Sequence, residues 1–381
     1  MLRKKLLLII LLIVGCEKYT QEVIIEINSH DNEIITGKLD LPKGDDPIKT
    51  TVIFIPGTGP FTYKKHIKIG NEVIDYFDIF TEQLNKIGVA FFRYNTRGTQ
   101  ISDLPPTYDK VDMQKYNKHI PSNHVQDIES IIVELKNIPR ISQSNILLLG
   151  WSEGTIIASI VADRKKVPID GLLLAGYVNE TLLDIMKWQF SGASSMIFYN
   201  KHFDRNNDGE ISEVEFENDP NKIVETILKN KTFDQIDNNL DRKITQEDMA
   251  QFLTERAENV FKAIEDENDD WIWENYFRVT SKWVSEHANL EPNRIRLLRL
   301  SLPIHIFHGT DDANTPIEGV FDIQKRFNTS NKKNLTIHVF ENHDHDLNWA
   351  EFPLEDKISN GWRTIFRTVY EMDNLGRNEY N

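Results

Sequence analysis

Cysteine is all but missing: Cys16 is the single thiol among 381 residues. An internal disulfide is excluded, and so is any zinc site built on several cysteines. Basic residues are in deficit, 44 Lys and Arg against 59 Asp and Glu, for a formal net charge of -15. That balance argues against a general affinity for nucleic acid. Long apolar runs are scarce. The one from Leu6 to Val14 is too short for an ordinary membrane-spanning helix of about 20 residues. Repeats at solenoid spacing and low-complexity tracts are lacking as well. With 40% apolar residues the chain is neither collagen-like nor wholly disordered, and it can bury the core of one large domain or two moderate ones.

Arg3, Lys4 and Lys5 precede the N-terminal apolar run, and Gly15 and Cys16 follow it. A basic start and a short apolar stretch make a secretory signal, with a short membrane anchor as the competing reading. Ile13-Val14-Gly15-Cys16 resembles the lipobox of bacterial lipoproteins. The resemblance implies that residues 1–15 are a removed signal peptide and that Cys16 carries the lipid. Residues 16–21 would then tether the protein to a membrane of the bacterial cell envelope, outside the cytoplasm. Capping the only thiol suits an exported chain, and several acyl chains anchor far better than one.

Alternating apolar residues in Glu22–Ile27 and Ile34–Leu41, around Ser29-His30-Asp31-Asn32, predict a β-hairpin. Strand signals at Thr51–Ile55, Val89–Tyr94, Asn145–Leu149 and Gly171–Ala175 then alternate with helix signals near Asn123–Lys136 and Glu153–Arg164. The pattern resumes with strands Pro303–Phe307 and Leu335–Phe340 and helices near Ile317–Phe327 and Ile358–Tyr370. Continuous apolar strands alternating with helices predict an α/β fold, a mostly parallel sheet covered on both faces. Residues 177–300 break the pattern and hold 25 Asp and Glu against 15 Lys and Arg. They read as a helical lid between core segments 22–176 and 301–381, folded over the carboxyl edge of the sheet.

Gly150-Trp151-Ser152-Glu153-Gly154 is a G-x-S-x-G motif between a strand and a helix signal. Such a turn strains the serine, and its glycines let backbone approach closely, so Oγ stands at the sheet edge beside a helix N-terminus. Ser152 is the expected nucleophile. Pro56-Gly57-Thr58-Gly59-Pro60 follows an earlier strand. There an N–H of Gly57 or Thr58 can join that of Glu153 to hold an oxyanion. Arg93 and Arg97, in Phe92-Arg93-Tyr94-Asn95-Thr96-Arg97-Gly98, read as supports of the fold.

Together these motifs resemble the α/β-hydrolase superfamily, most of all its esterase and serine-aminopeptidase branches. Asn95 stands where those members carry Asp, and Trp151 where they carry His. The resemblance covers residues 22–176 and 301–372 and leaves the insertion aside. It implies an acid after the first strand beyond the insertion, where Gly309-Thr310-Asp311-Asp312 lies with Pro316 four residues on. That register selects Asp312, with Asp311 as the alternative. It also implies a base in Glu341-Asn342-His343-Asp344-His345-Asp346, where His345 fits the step into the last helix better than His343. His66, His305 and His308 read as structural. An acyl-enzyme mechanism follows and needs no catalytic metal.

Inside the insertion, Asp204 to Glu215 matches a twelve-residue EF-hand loop. Oxygen side chains of Asp204, Asn206, Asp208, Ser212 and Glu215 take its ligand places, Glu210 supplies a backbone carbonyl, and Gly209 makes the turn. A weaker second loop offers Asp237, Asn239, Asp241, Lys243 and Asp248, with Arg242 in place of the glycine. Paired EF-hands join through their eighth residues, here Ile211 and Ile244. Ca²⁺ is the implied ion, structural or regulatory rather than catalytic. Trp271 to Phe277 reads as packed core of a lid helix more than as a substrate platform. The functional expectation is an esterase acting on a small or medium ester. The alternatives are a peptidase on the same residues and a calcium-dependent binding protein on an inactive scaffold.

Overall fold

The computed structural model describes residues 20–69, 72–105 and 108–375. The signal peptide and Cys16 lie outside the described residues. Eight strands form the central sheet: β1 Thr20–Asn28, β2 Ile34–Pro42, β3 Thr50–Ile55, β4 Ala90–Tyr94, β5 Asn145–Trp151, β6 Gly171–Ala175, β7 Ile304–Gly309 and β8 Leu335–Phe340. Their order across the sheet is β1-β2-β4-β3-β5-β6-β7-β8. β1 and β2 make an antiparallel hairpin, β2 runs antiparallel to β4, and all later pairings are parallel.

Alternation along the buried strands sends neighbouring residues to opposite faces. On one face Ile53, Phe92, Leu148, Leu174 and Ile306 pack against helices α2 (Pro121–Lys136) and α3 (Glu153–Arg164). On the other, Phe54, Phe91, Leu149, Leu173 and Phe307 meet α1 (Asp78–Lys86) through Phe80 and the C-terminal helix Asn360–Leu375 through Trp362. The sequence patterns had not signalled α1, nor a small hairpin of His66–Ile69 with Glu72–Asp75. The alternation in His66-Ile67-Lys68-Ile69 was the available signal. Arg97 is fully buried and forks onto Asp127 at 2.6 and 2.7 Å, with Asp31 at 2.7 Å, while Arg93 bonds Asp40. Both arginines support the fold.

Between β6 and β7 the chain is helical, with α4 (Leu182–Phe190), α5 (Ala193–Phe203) and α6 (Ser281–Ala288) among its helices, apart from a two-residue ladder that pairs Ile211 with Ile244. This insertion has its own core, with Phe203, Phe216, Phe233, Ile236 and Met249 around those isoleucines. A second cluster joins Ile272, Trp283 and Val284 to Ile120 of the main body. Among the described residues no helix is long and apolar enough to cross a membrane.

Candidate active site

Ser152 follows β5 directly and is the N-cap of α3, with φ 55° and ψ -121°. Positive φ is costly for a side-chain-bearing residue, so the surroundings must enforce it. Gly154 supplies the space: a Cβ there would lie 2.1 Å from the Ile55 carbonyl oxygen, so only glycine lets α3 meet β3 this closely. The Ser152 N–H donates to the Ala175 carbonyl at 2.9 Å, tying the turn to β6.

A cavity of about 300 Å³ opens at this turn. Ser152, Glu153, Gly57, Thr58 and His345 all line it. Gly57 sits against the serine, where a Cβ would come within 3.0 Å of the Ser152 Cβ. The first N–H groups of a helix have no partner inside it. The Glu153 N–H, at the first turn of α3, and the Gly57–Thr58 backbone thus flank Ser152 from two sides. Apolar walls come from Phe54, Phe61, Trp151 and Ile156 of the core and from Leu182, Ile185, Tyr276, Phe277 and Trp283 of the insertion. The Trp271–Phe277 stretch divides its work: Ile272 is packed core, whereas Tyr276 and Phe277 face the cavity.

Of the two aspartates and two histidines considered, the structure brings Asp312 and His345 together. His345 Nδ1 donates to Asp312 Oδ2 at 2.8 Å. Asp312 is 1% exposed and also accepts the N–H groups of Asn314 and Thr315 at 2.8 and 2.9 Å and the Thr315 hydroxyl at 2.9 Å. Burial pushes this carboxyl up, but the His345 charge and hydrogen bond, with the Thr315 N–H, hold it below the ordinary carboxylate range. Burial likewise opposes a charge on His345, yet Asp312, Asp346 and Asp344 outweigh it and raise its pKa to about 9. The bond at Nδ1 leaves Nε2 for the cavity. The hydrogen bonds of the described residues include none from the Ser152 hydroxyl to His345, a contact that commonly tightens only with substrate bound.

The alternatives lie elsewhere. Asp311 pairs at 3.3 Å with Lys201 of the insertion, and the His343 ring bonds the Glu341 carbonyl at 2.8 Å. His308, read from sequence only as structural, is fully buried 3.6 Å from Asp312 Oδ2. Its Nδ1 accepts the Tyr177 N–H and its Nε2 donates to the Thr315 carbonyl, so it braces the acid's loop in the neutral form.

Neither a protein-family model nor a curated protein matches this chain. Among solved structures, a thermostable carboxyl esterase from Bacillus coagulans, in complex with glycerol, is similar at 14% identity with a TM-score of 0.54, covering 92% of this chain and 99% of that one. A Pyrococcus furiosus esterase aligns at 13% identity over 94% of each chain, with a TM-score of 0.48. The fold is that of the α/β-hydrolases. Strand order, the antiparallel β2 and the helices on both faces all agree with it.

The loop 204–215 folds around its own backbone. Asp204 accepts the Asn207 and Gly209 N–H groups at 2.6 and 2.9 Å, and Glu215 accepts the Ser212 and Arg205 N–H groups at 2.9 Å each. Asp208 and Asn206 likewise accept loop N–H groups. Every side-chain donor atom here is a hard oxygen, the type Ca²⁺ prefers. In the second loop Asp237 accepts the Asp241 and Arg242 N–H groups at 3.2 and 3.0 Å, and Asn239 and Asp248 accept others. Arg242 and Lys243 pair with Glu213 and Glu210 of the first loop. Among the described residues no three His, Cys, Asp or Glu side chains converge as a metal site.

Proposed function

We propose that this protein is a serine hydrolase that cleaves a small or medium carboxylic ester through an acyl-enzyme. One observation carries the reading: Ser152 stands strained at the sheet edge in a cavity shared with His345, whose far nitrogen is held by buried Asp312. In this reading His345 takes the Ser152 proton as Oγ attacks the ester carbonyl, and Asp312 orients the imidazole and stabilises its cation. The carbonyl oxygen becomes an anion facing the N–H of Glu153 and one N–H from Gly57–Thr58. His345 then protonates the leaving alcohol, and water activated by the same imidazole releases the acid. An aromatic, lid-covered cavity favours an apolar acyl or alcohol group.

The test is labelling of the protein with a fluorophosphonate probe. The wild type should label and turn over short p-nitrophenyl esters, and Ser152→Ala should do neither. Labelling that persists in Ser152→Ala, or a wild type inert to both, would end the reading. The same residues could serve a peptidase, and a matched panel of esters and amides separates the two.

Two further assignments belong to this reading. The loop 204–215 holds Ca²⁺ through Asp204, Asn206, Asp208, the Glu210 carbonyl, Ser212 and Glu215, which supplies the insertion with a rigid centre. The mature chain begins at a lipid-modified Cys16 and is tethered to a membrane outside the cytoplasm. Support for both comes from the sequence motifs, and for the first also from the oxygen-only donor set.

A further inference from the structure

Beneath the cavity lies a buried ionic site that the serine chemistry by itself does not use. The side chain of Glu153, the residue after the nucleophile, is only 5% exposed. Its Oε1 accepts from Trp283 Nε1 at 2.9 Å and from His287 Nε2 at 2.8 Å. Both donors belong to one helix of the insertion, α6 (Ser281–Ala288), and stand one turn apart on the same face. Trp283, His287 and Glu153 all line the cavity that holds Ser152.

The neighbours of Glu153 on other elements are His119 before α2, His124 on α2, Tyr94 on β4 and Tyr116, all buried. Burial holds His119 down to about 4 and pushes His124 lower than usual, so both are neutral. His124 is bonded to the Tyr94 hydroxyl at 2.6 Å. Burial alone would keep Glu153 protonated; the contact with His287, above all, offsets it and holds the carboxyl below its ordinary range. A carboxylate is therefore fixed one residue from the place where the oxyanion would form. A bare negative charge there opposes a second one in a poorly screened site, and hydrogen-bond donors held against it lessen the opposition.

We propose that His287 is a positioning residue supplied by the insertion: it balances Glu153 beside the oxyanion site and, with Trp283, seats α6 on the nucleophile turn. The inference rests on the serine-hydrolase reading. Its consequence is that the reacting end of the cavity is complete only with the insertion docked.

The experiment compares kcat and KM on a short p-nitrophenyl ester, and the rate of fluorophosphonate labelling, in full-length variants checked by thermal melting. His287→Gln should lower kcat about tenfold or more with KM little moved, because the defect is in stabilising the oxyanion. The double variant Glu153→Gln/His287→Gln removes the stranded charge and should recover most of that loss, since replacing both partners of a buried pair is far milder than removing one. A contact that serves packing alone predicts the reverse, a double variant worse than either single one. His287→Gln with wild-type kcat, or a double variant no faster than His287→Gln, overturns the proposal. Where His287→Gln does not fold, the comparison is Glu153→Gln against the double variant. Losing His287 should then cost less than about threefold, and a larger loss overturns the proposal. A wild type that neither labels nor turns over sinks the serine-hydrolase reading instead.

Discussion

Asp312 and Asp311 are adjacent, yet they face different partners, which makes substitution a clean test. Asp312 is bonded to His345, and Asp311 reaches out to Lys201. Ser152→Ala and His345→Ala should each reduce ester turnover by roughly 10³-fold or more with the fold intact. Asp312→Asn should lose much of the activity and Asp311→Asn little; a dead Asp311 variant would move the acid to the other register. The pH profile gives a second test. A general base must be neutral to accept the serine proton, and Asp312 favours the charged form of His345, with a pKa of about 9. Activity measured as kcat/KM should therefore climb with pH through about 9. In Asp312→Asn the rise should shift to lower pH while its plateau falls. The sign for stability is opposite. A pKa raised from 6.5 to about 9 means that the pair stabilises the fold fully below 6.5 and loses that contribution as pH climbs through about 9.

At the scale of elements, α5 (Ala193–Phe203) joins the two halves of the molecule. It runs directly into Asp204, the first residue of the proposed calcium loop. Its Ser194 hydroxyl donates to the Ala313 carbonyl at 2.5 Å and its Lys201 pairs with Asp311, while Gln189 just before it donates to the Asn314 carbonyl at 2.9 Å. These contacts bracket Asp312. From the sequence, calcium would be expected to act on the insertion and on substrate access only; the structure adds a route to the acid's loop. Calorimetry should find one Ca²⁺ site that Glu215→Gln abolishes. Chelation should lower the melting temperature of the wild type and leave Glu215→Gln unmoved, since binding to the folded state alone is what stabilises. It should also slow the turnover of bulky esters, with Ser152 still labelled by the probe. Calorimetry without any heat of calcium binding would remove the metal from the account.

For the whole molecule, how much the sequence disclosed depended on whether a signal was local. The β5–Ser152–α3 turn was legible because strand, motif and helix are contiguous. The order of the parallel strands was not legible, because each pairing joins segments separated by a crossover. Asp312 and His345 were preferred over Asp311 and His343 by loop register, and the three-dimensional contact joins that same pair. The Glu153–His287 bond joins residues 134 positions apart, and no spacing rule reaches across an insertion with its own core. His308 was passed over for a similar reason, since its bond to the Tyr177 N–H appears only once β6 and β7 lie side by side.

Register also fixes where a membrane tether would leave the molecule. Thr20 pairs with Pro42, and Gly37 with Tyr94, so β1 starts at the edge where the parallel strands begin. Thr50 and Asn145 are paired at that same edge, and Ser152 follows Trp151, the last residue of the seven-residue β5. A strand rises about 3.3 Å per residue, which puts Ser152 roughly 23 Å away across the sheet. Four residues from Cys16 to Thr20 extend at most about 14 Å. A lipid on Cys16, if carried, would therefore hold the edge of the sheet opposite Ser152 nearer the bilayer. On that orientation the prediction is turnover of a soluble ester rather than of a lipid drawn from the tethering membrane. Cys16→Ala should release the protein from the membrane fraction. With wild type reconstituted on vesicles and Cys16→Ala left free, turnover of a soluble short ester should be equal, and hydrolysis of vesicle lipids should gain nothing from tethering. A lipid-anchored enzyme that cleaved its own vesicle's lipids faster than the free variant would contradict this orientation, and a Cys16→Ala variant still bound to membranes would contradict the anchor itself.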